Sequence, residues 1–259
     1  PTALIPVTAI VPLARHLSSQ AQTFESQQAV SAGNTISCTK GCAACCRMLV
    51  PVSVPEAFLL YDLSQSLPPA EAERLNRQRQ NTRVTLERGH LWTQLMEIAE
   101  WSTPLSDEQL DPINRDYFGL HVPCLFLENE CCSIYDDRPS ACRELHVTSP
   151  AEWCQEFDRK PVTPLPVMLR GSTILGLLWA ELTNQPPRLI PLPVALDWAE
   201  RHAHERAVAR HGPALVESLM EQAYKLLWEQ LPENTRQQLK DQSAKPSLPS
   251  EGGDTPRKL

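Results

Sequence analysis

Four cysteines crowd into residues 38–46 as Cys38-x3-Cys42-x2-Cys45-Cys46, and a second set follows at Cys124, Cys131, Cys132 and Cys142, with Cys154 beyond it. Thiolates at x2 or x3 spacing can converge on one ion from a turn or a helix start, and a distant pair then completes a tetrahedral set. Several thiolates held together repel one another unless a cation or cluster lies between them. The spacing therefore constrains fold and chemistry at once. Adjacent residues such as Cys45 and Cys46 point in different directions and seldom bind one mononuclear ion, so the pair implies two metals, a multinuclear cluster or one non-ligand. The competing reading is a set of buried free thiols, since cysteine packs as a small apolar residue. Scattered core cysteines, however, have no reason to repeat at ligand spacings.

A chain of 259 residues can bury a proper core without disulfides or metals, so the cysteines are expected to serve function rather than mere folding. Residues 1–13 lack a basic start and are broken by Pro6 and Pro12, which is unlike a signal peptide. A reducing, cytoplasmic setting is the expectation, and an odd count of nine cysteines fits a complete disulfide set poorly. The net charge of −7, with no Lys/Arg block, offers no field for nucleic acid or anionic lipid, and no apolar run is long enough to span a membrane. Neither is expected as a partner. A protein substrate is the partner class still open, and no residue pattern names it. Nine glycines, with no GxGxxG or GxxxxGK[ST] string, argue against dinucleotide folds and P-loop enzymes.

The periodicities predict a mostly α protein: helices packed around a loop-rich cysteine site, with at most a few short strands. Residues 13–30 read as a surface helix because of the polar run 18–22, and residues 49–54 as a short edge strand. Pro55-Glu56 opens a helix, and 69–96 reads as another that Asn81 and Thr82 divide, with Val84 on its apolar face. Residues 104–114 read as a loop with one helical turn, 124–142 as a hairpin or hooked loop, and 167–182 as an apolar segment. Helices are predicted over 193–211 and 213–231, with Gly212 as the cap between them and an apolar stripe from Leu215 to Leu227. The expected divisions are an N-terminal segment (1–30), a cysteine domain (31–160), a helical region packing on it (161–240) and a disordered tail (241–259). The 24 prolines suggest short elements.

The string Cys38-Thr39-Lys40-Gly41-Cys42-Ala43-Ala44-Cys45-Cys46-Arg47 is followed by residues 52–56, Pro123-Cys124-Leu125-Phe126-Leu127, Cys132-Ser133-Ile134-Tyr135, Arg138-Pro139 and Cys142-Arg143. Together these resemble the YkgJ-like cysteine-cluster family, also called the CxxCxxCC zinc- or iron-chelating domain. The resemblance covers residues 38–146 and implies a metal or iron–sulfur site. Carried over by position, the family's cysteines match Cys38, Cys42, Cys45, Cys46, Cys124, Cys132 and Cys142. Cys131 is an addition at a variable position and reads as the spare of its pair, while Cys154, beside Trp153, reads equally as ligand or packing residue. An iron–sulfur cluster is favoured over zinc, because seven or eight thiolates exceed what one zinc needs.

Four thiolates around Zn²⁺ or a 4Fe–4S core leave net negative charge, so Arg138 and Arg143, beside Tyr135, are candidates to neutralise it and donate to sulfur. Glu56 reads either as a buried acceptor behind the site or as an ordinary first-turn carboxylate. Flagellin lysine-N-methylase carries a similar domain, so the resemblance also admits a cluster-dependent enzyme that modifies a protein side chain by methyl transfer or redox chemistry. S-adenosylmethionine, its implied methyl donor, finds no motif of its own. Cys38-x3-Cys42-x2-Cys45 is also the spacing of radical S-adenosylmethionine enzymes, but a glycine-poor helical chain does not suit their partial barrel. His202 and His204, two apart, should face solvent on different sides of a helix, and His121 and His146 flank the second block as weaker ligand candidates. No GxSxG, HExxH or HxE…PCxxC pattern supports a hydrolase or deaminase.

Overall fold

The computed structural model describes residues 3–100 and 105–243. In chain order its elements are β1 (Leu4–Pro6), α1 (Val11–Ser31), β2 (Pro51–Ser53), α2 (Val54–Ser66), α3 (Pro69–Arg88), α4 (Trp92–Glu100), α5 (Asp107–Gly119), β3 (Leu127–Glu128) and β4 (Cys131–Cys132). They continue with α6 (Ser140–Glu144), α7 (Gly171–Thr183), β5 (Leu189–Pro191), α8 (Leu192–Arg201), β6 (Ala209–His211), α9 (Gly212–Gln230) and α10 (Glu233–Ser243). The chain is mostly α-helical, and its strands form three two-stranded antiparallel ribbons, β1·β6, β2·β5 and β3·β4. No helix among the described residues is long and apolar enough to cross a membrane.

Prolines start helices here rather than shorten them. Four of the strands feed a helix with a proline in its first turn: β1 into α1 through a 3₁₀ turn with Pro12, β2 into α2 with Pro55, β5 into α8 with Pro193, and β6 into α9 with Pro213. Proline lacks an N–H where a helix start has no partner for one, so it costs nothing there. The strands then pair so that Val52 faces Ile190 and Ile5 faces Arg210, which lays α2 against α8 and α7 against α9. Phe58 of α2 sits at the centre of the core, with ring centroids 5.8 Å from Trp179 and 5.5 Å from Trp198.

Several local expectations are corrected by this packing. Helix α1 is no surface element: it buries Val11 and Ala14 together with the polar Arg15, Ser18 and Gln22, and that mixed face is hard to see by apolar periodicity. The break after α3 falls at Gly89, which approaches the Leu120 side chain, not at Asn81 and Thr82, and Val84 is exposed. Residues 107–119 form a full helix, because Ser106 and Gln109 build a capping box that outweighs Pro112 inside it.

Helix α8 stops at Arg201 instead of running to 211. His202 stacks on Trp198 at 4.2 Å and its Nδ1 lies 2.8 Å from the Trp198 carbonyl, so the side chain closes the helix end. His202 is thus mostly buried, its Nε2 3.2 Å from Glu100, whereas His204 does face solvent. Gly212 is the first residue of α9, not a cap. Only Leu215, Leu219 and Ala223 of the α9 stripe are buried; Val216, Met220 and Leu227 are exposed because α7 covers a narrow face. Of the expected tail, α10 reaches Ser243, and residues 244–259 lie outside the described residues.

Candidate metal centre

The first cysteine block is a loop shaped by backbone turns. Gly41 has φ +93°, a left-handed conformation that lets the Cys42 amide reach back to the Thr39 carbonyl at 3.0 Å. A 3₁₀ turn, Ala44–Arg47, then carries Cys45 and Cys46. The second block docks directly onto it. The Cys124 amide donates to the Cys46 carbonyl at 2.8 Å, and beyond the hairpin tip Arg47 grips Glu130 through both nitrogens, at 2.7 and 3.1 Å. Asn129 and Glu130 at that tip both have positive φ, as a tight two-residue turn between β3 and β4 requires. Cys142 lies on α6, and Cys154 on a 3₁₀ turn, Ala151–Gln155, that packs beneath the first block.

Six thiol-bearing residues, Cys42, Cys45, Cys46, Cys124, Cys132 and Cys142, line one cavity of about 260 Å³ together with Tyr117, Tyr135 and Arg138. Cys38 and Cys154 stand behind it, in a small cluster with Ala44 and Val147, and Cys131 is exposed on the opposite side of its strand from Cys132. Several sulfurs accept backbone N–H bonds, among them Cys38 from Val147 at 3.3 Å, Cys124 from Phe126 and Cys132 from Ile134. Such bonds stabilise thiolate and tune a bound metal. Among the described residues no group of three or more Cys, His, Asp or Glu side chains is already set as a metal cage. The thiols share a cavity without being drawn to a point.

Burial and mutual repulsion disfavour the charged form of most of these thiols. Burial pushes Cys124 up to about 12, with repulsion from Cys132 and Cys45 adding to it, and raises Cys142 well above the ordinary thiol value. Cys45 moves the other way, lowered by a hydrogen bond from Cys46 and helped by Arg138, while Cys46 is raised by the same bond. A donor set of soft sulfurs, prepared N–H bonds and a nearby guanidinium suits zinc or an iron–sulfur cluster.

Arg138 lines the cavity, its guanidinium 3.7 Å from the Tyr135 ring centroid and its Nε donating to the Tyr135 carbonyl at 2.9 Å. Lys40 covers that ring at 4.8 Å, so Tyr135 carries two cations at the edge of the site. Arg143 does not line the cavity. It donates to the Arg138 carbonyl at 2.9 Å and to the Asp136 carbonyl, bracing the loop that presents Arg138.

Glu56 ties the start of α2 to α6 and α7. It forms the capping box of α2 with Ser53, and being fully buried it also accepts from the Ser140 amide (2.7 Å), the Ser140 hydroxyl (2.8 Å) and the Ser172 hydroxyl (2.8 Å). It thereby fixes the start of α6 and hence Cys142. Arg15 completes this cluster, with Nε 3.5 Å from Glu56. Neither Arg15 nor the Arg47–Glu130 clamp is legible from spacing, because their partners lie far away in the chain. His146 pairs with Ser26 (3.0 Å) and His121 packs on Phe118, and neither lines the cavity.

No curated protein and no solved structure matches the chain. Residues 37–161, a span that includes Cys154, match the CxxCxxCC family model described as "Putative zinc- or iron-chelating domain".

Proposed function

We propose that the protein holds an iron–sulfur cluster on its two cysteine blocks, with Cys38, Cys42, Cys45, Cys46, Cys124, Cys132 and Cys142 as the ligand pool. The observation that carries this reading is the cavity of about 260 Å³ on which six of these residues converge. A single zinc in a closed tetrahedral site needs four thiolates and no room beside them. A polynuclear cluster is likewise held by four thiolates, but its bridging sulfides take space beside them that a single ion does not. Such a cluster, when bound, supplies electron transfer or a Lewis-acidic iron. The chain's own contribution is to exclude water with the apolar walls Leu125, Phe126 and Leu192, to donate N–H bonds to sulfur, and to hold Arg138 against the negative charge.

Anaerobic purification followed by iron, zinc and sulfide analysis and a visible spectrum tests this. A brown protein with acid-labile sulfide, bleached by dithionite, is the expected result. A colourless protein with stoichiometric zinc and no sulfide refutes the cluster.

A further inference from the structure

The thiol cavity carries polar groups that a metal on the cysteines does not use. Besides the thiols and Arg138, its wall includes the apolar Leu49, Val50 and Leu192 and the hydroxyl-bearing Thr82 and Tyr117. Thr82 is 2% exposed, and its Oγ1 is buried without a hydrogen-bond partner. A threonine inside a helix can turn its hydroxyl back to the carbonyl four residues earlier. Thr85 does so in the same helix, to Asn81 at 2.9 Å. Thr82 forgoes that bond. A buried hydroxyl without a partner costs free energy, so one held in a cavity wall marks a place where a group from outside completes it.

The start of α8 lies in the same wall, through Leu192 and Pro193. Two other core helices begin on carboxylates of the chain itself: Glu56 accepts from the Ser53 amide at the start of α2 (3.2 Å), and Glu144 from the Gly171 amide at the start of α7 (2.7 Å). Helix α8 follows β5 as α2 follows β2, its paired strand, yet Val194 stands in α8 where α2 has Glu56. No side chain caps α8, no acidic residue lies in its first turn, and Leu192, Pro193 and Val194 are all buried. The Leu192 amide is taken by the Val50 carbonyl at 2.8 Å, and Pro193 has no N–H. What α8 offers the cavity is therefore the positive end of its dipole, which favours an anion.

We propose that the cavity takes a short aliphatic carboxylate beside its metal, with the carboxylate at the start of α8 and accepting from the Thr82 hydroxyl, and the alkyl chain among the apolar walls. This names the ligand class of the site and rests on the metal-centre reading for what lies next to that ligand. A carboxylate fits because the dipole end asks for negative charge and Thr82 for a hydrogen-bond acceptor. Arg138, in the same wall, adds positive charge that offsets the burial of an anion near thiols. A short chain fits because the cavity of about 260 Å³ is small and its remaining walls are apolar.

The test is calorimetric titration of the full chain, purified anaerobically, with the straight-chain acids from acetate to hexanoate and with 1-butanol. Butyrate should bind more tightly than 1-butanol, which has the same chain without the charge. Thr82→Val, which keeps the shape and removes the hydroxyl, should weaken butyrate about tenfold or more, the worth of one hydrogen bond to a charged group. The same variant should melt no lower than wild type, because the hydroxyl it removes has no partner in the protein. Thr82→Ser should restore binding. If none of the acids binds, if 1-butanol binds as tightly as butyrate, or if Thr82→Val leaves butyrate binding unchanged, the carboxylate site is overturned. Iron and sulfide analysis of the same preparations separates the two readings. A brown, sulfide-bearing chain that binds no acid overturns the carboxylate site and leaves the cluster standing, whereas a colourless chain that binds butyrate through Thr82 refutes the cluster and leaves the carboxylate site standing.

Discussion

Glu56 is the residue on which the cysteine site and the helical core both depend. It caps α2, anchors α6 through Ser140, reaches α7 through Ser172 and pairs with the buried Arg15 of α1. Removing one partner of a buried charge pair leaves the other charge uncompensated, which costs about 3 kcal/mol or more. Glu56→Gln should therefore lower the unfolding free energy by about that much in a urea titration; a change below about 0.5 kcal/mol would contradict the role, being no more than a neutral surface substitution gives. The cap itself is legible in the sequence, because Ser53-x-x-Glu56 is a local pattern. The partners are not, since Ser140 and Ser172 are 84 and 116 residues away and serine carries no periodic signal. His146 gives a second residue-scale expectation. Burial, with Arg138 nearby, depresses its pKa below the ordinary 6.5, so the folded state disfavours the charged ring. The stability it contributes is present above about pH 6.5 and is lost as pH falls through the depressed folded value. Thermal melts of wild type and His146→Gln across pH 5–8 should converge toward the acid side. A constant gap across that range would remove His146 as a source of the pH dependence.

At the scale of elements, the site is positioned by how tightly α6 and α7 approach. Gly171 begins α7 and donates its amide to Glu144 at 2.7 Å, and a Cβ built on it would stand 2.7 Å from the Ser140 hydroxyl and 2.9 Å from the Ser140 Cβ. Both contacts are overpacked. Gly171→Ala should cost about 1–3 kcal/mol of stability, and Gly171→Ala with Ser140→Gly should recover part of it, since the second change removes the two closest clashing atoms. Additive losses in the double variant would mean that the strain lies elsewhere. The elements themselves were legible where the signal was chemical. Prolines in first turns, the β3–β4 hairpin between cysteines and the start of α2 all follow from local rules. The failures have two causes: packing of distant elements overrode local pattern, or a local device such as the Ser106/Gln109 capping box of α5 went unread. Helix α1 buries Ser18 and Gln22 against α6 and α7, α8 is ended by the His202 ring folding onto Trp198, and the exposed half of the α9 stripe is exposed because α7 covers only the other half.

The whole molecule couples two hydrophobic clusters of unequal size. The main one draws side chains from Val7 to Ala223 and takes in α2, α7 and α8, while the one beneath the first cysteine block has Ala44, Val147 and Cys154 as its buried members. Metal binding adds folding free energy mainly where a segment cannot bury enough apolar surface by itself. That describes the loops around Cys38–Cys46 and Cys142–Cys154 and does not describe the helical core. Chelating the metal should therefore leave most of the far-UV helix signal in place, because the core does not need the ion. It should, however, open residues 34–50 and 145–166 to limited proteolysis, because those loops bury few apolar side chains of their own. Reloading under anaerobic conditions should restore resistance at both segments together, since the first block contributes ligands wherever the second one does. Loss of most of the helix signal on chelation would instead show that the metal is required for the core, and would place the cysteine loops at the start of folding rather than at its edge.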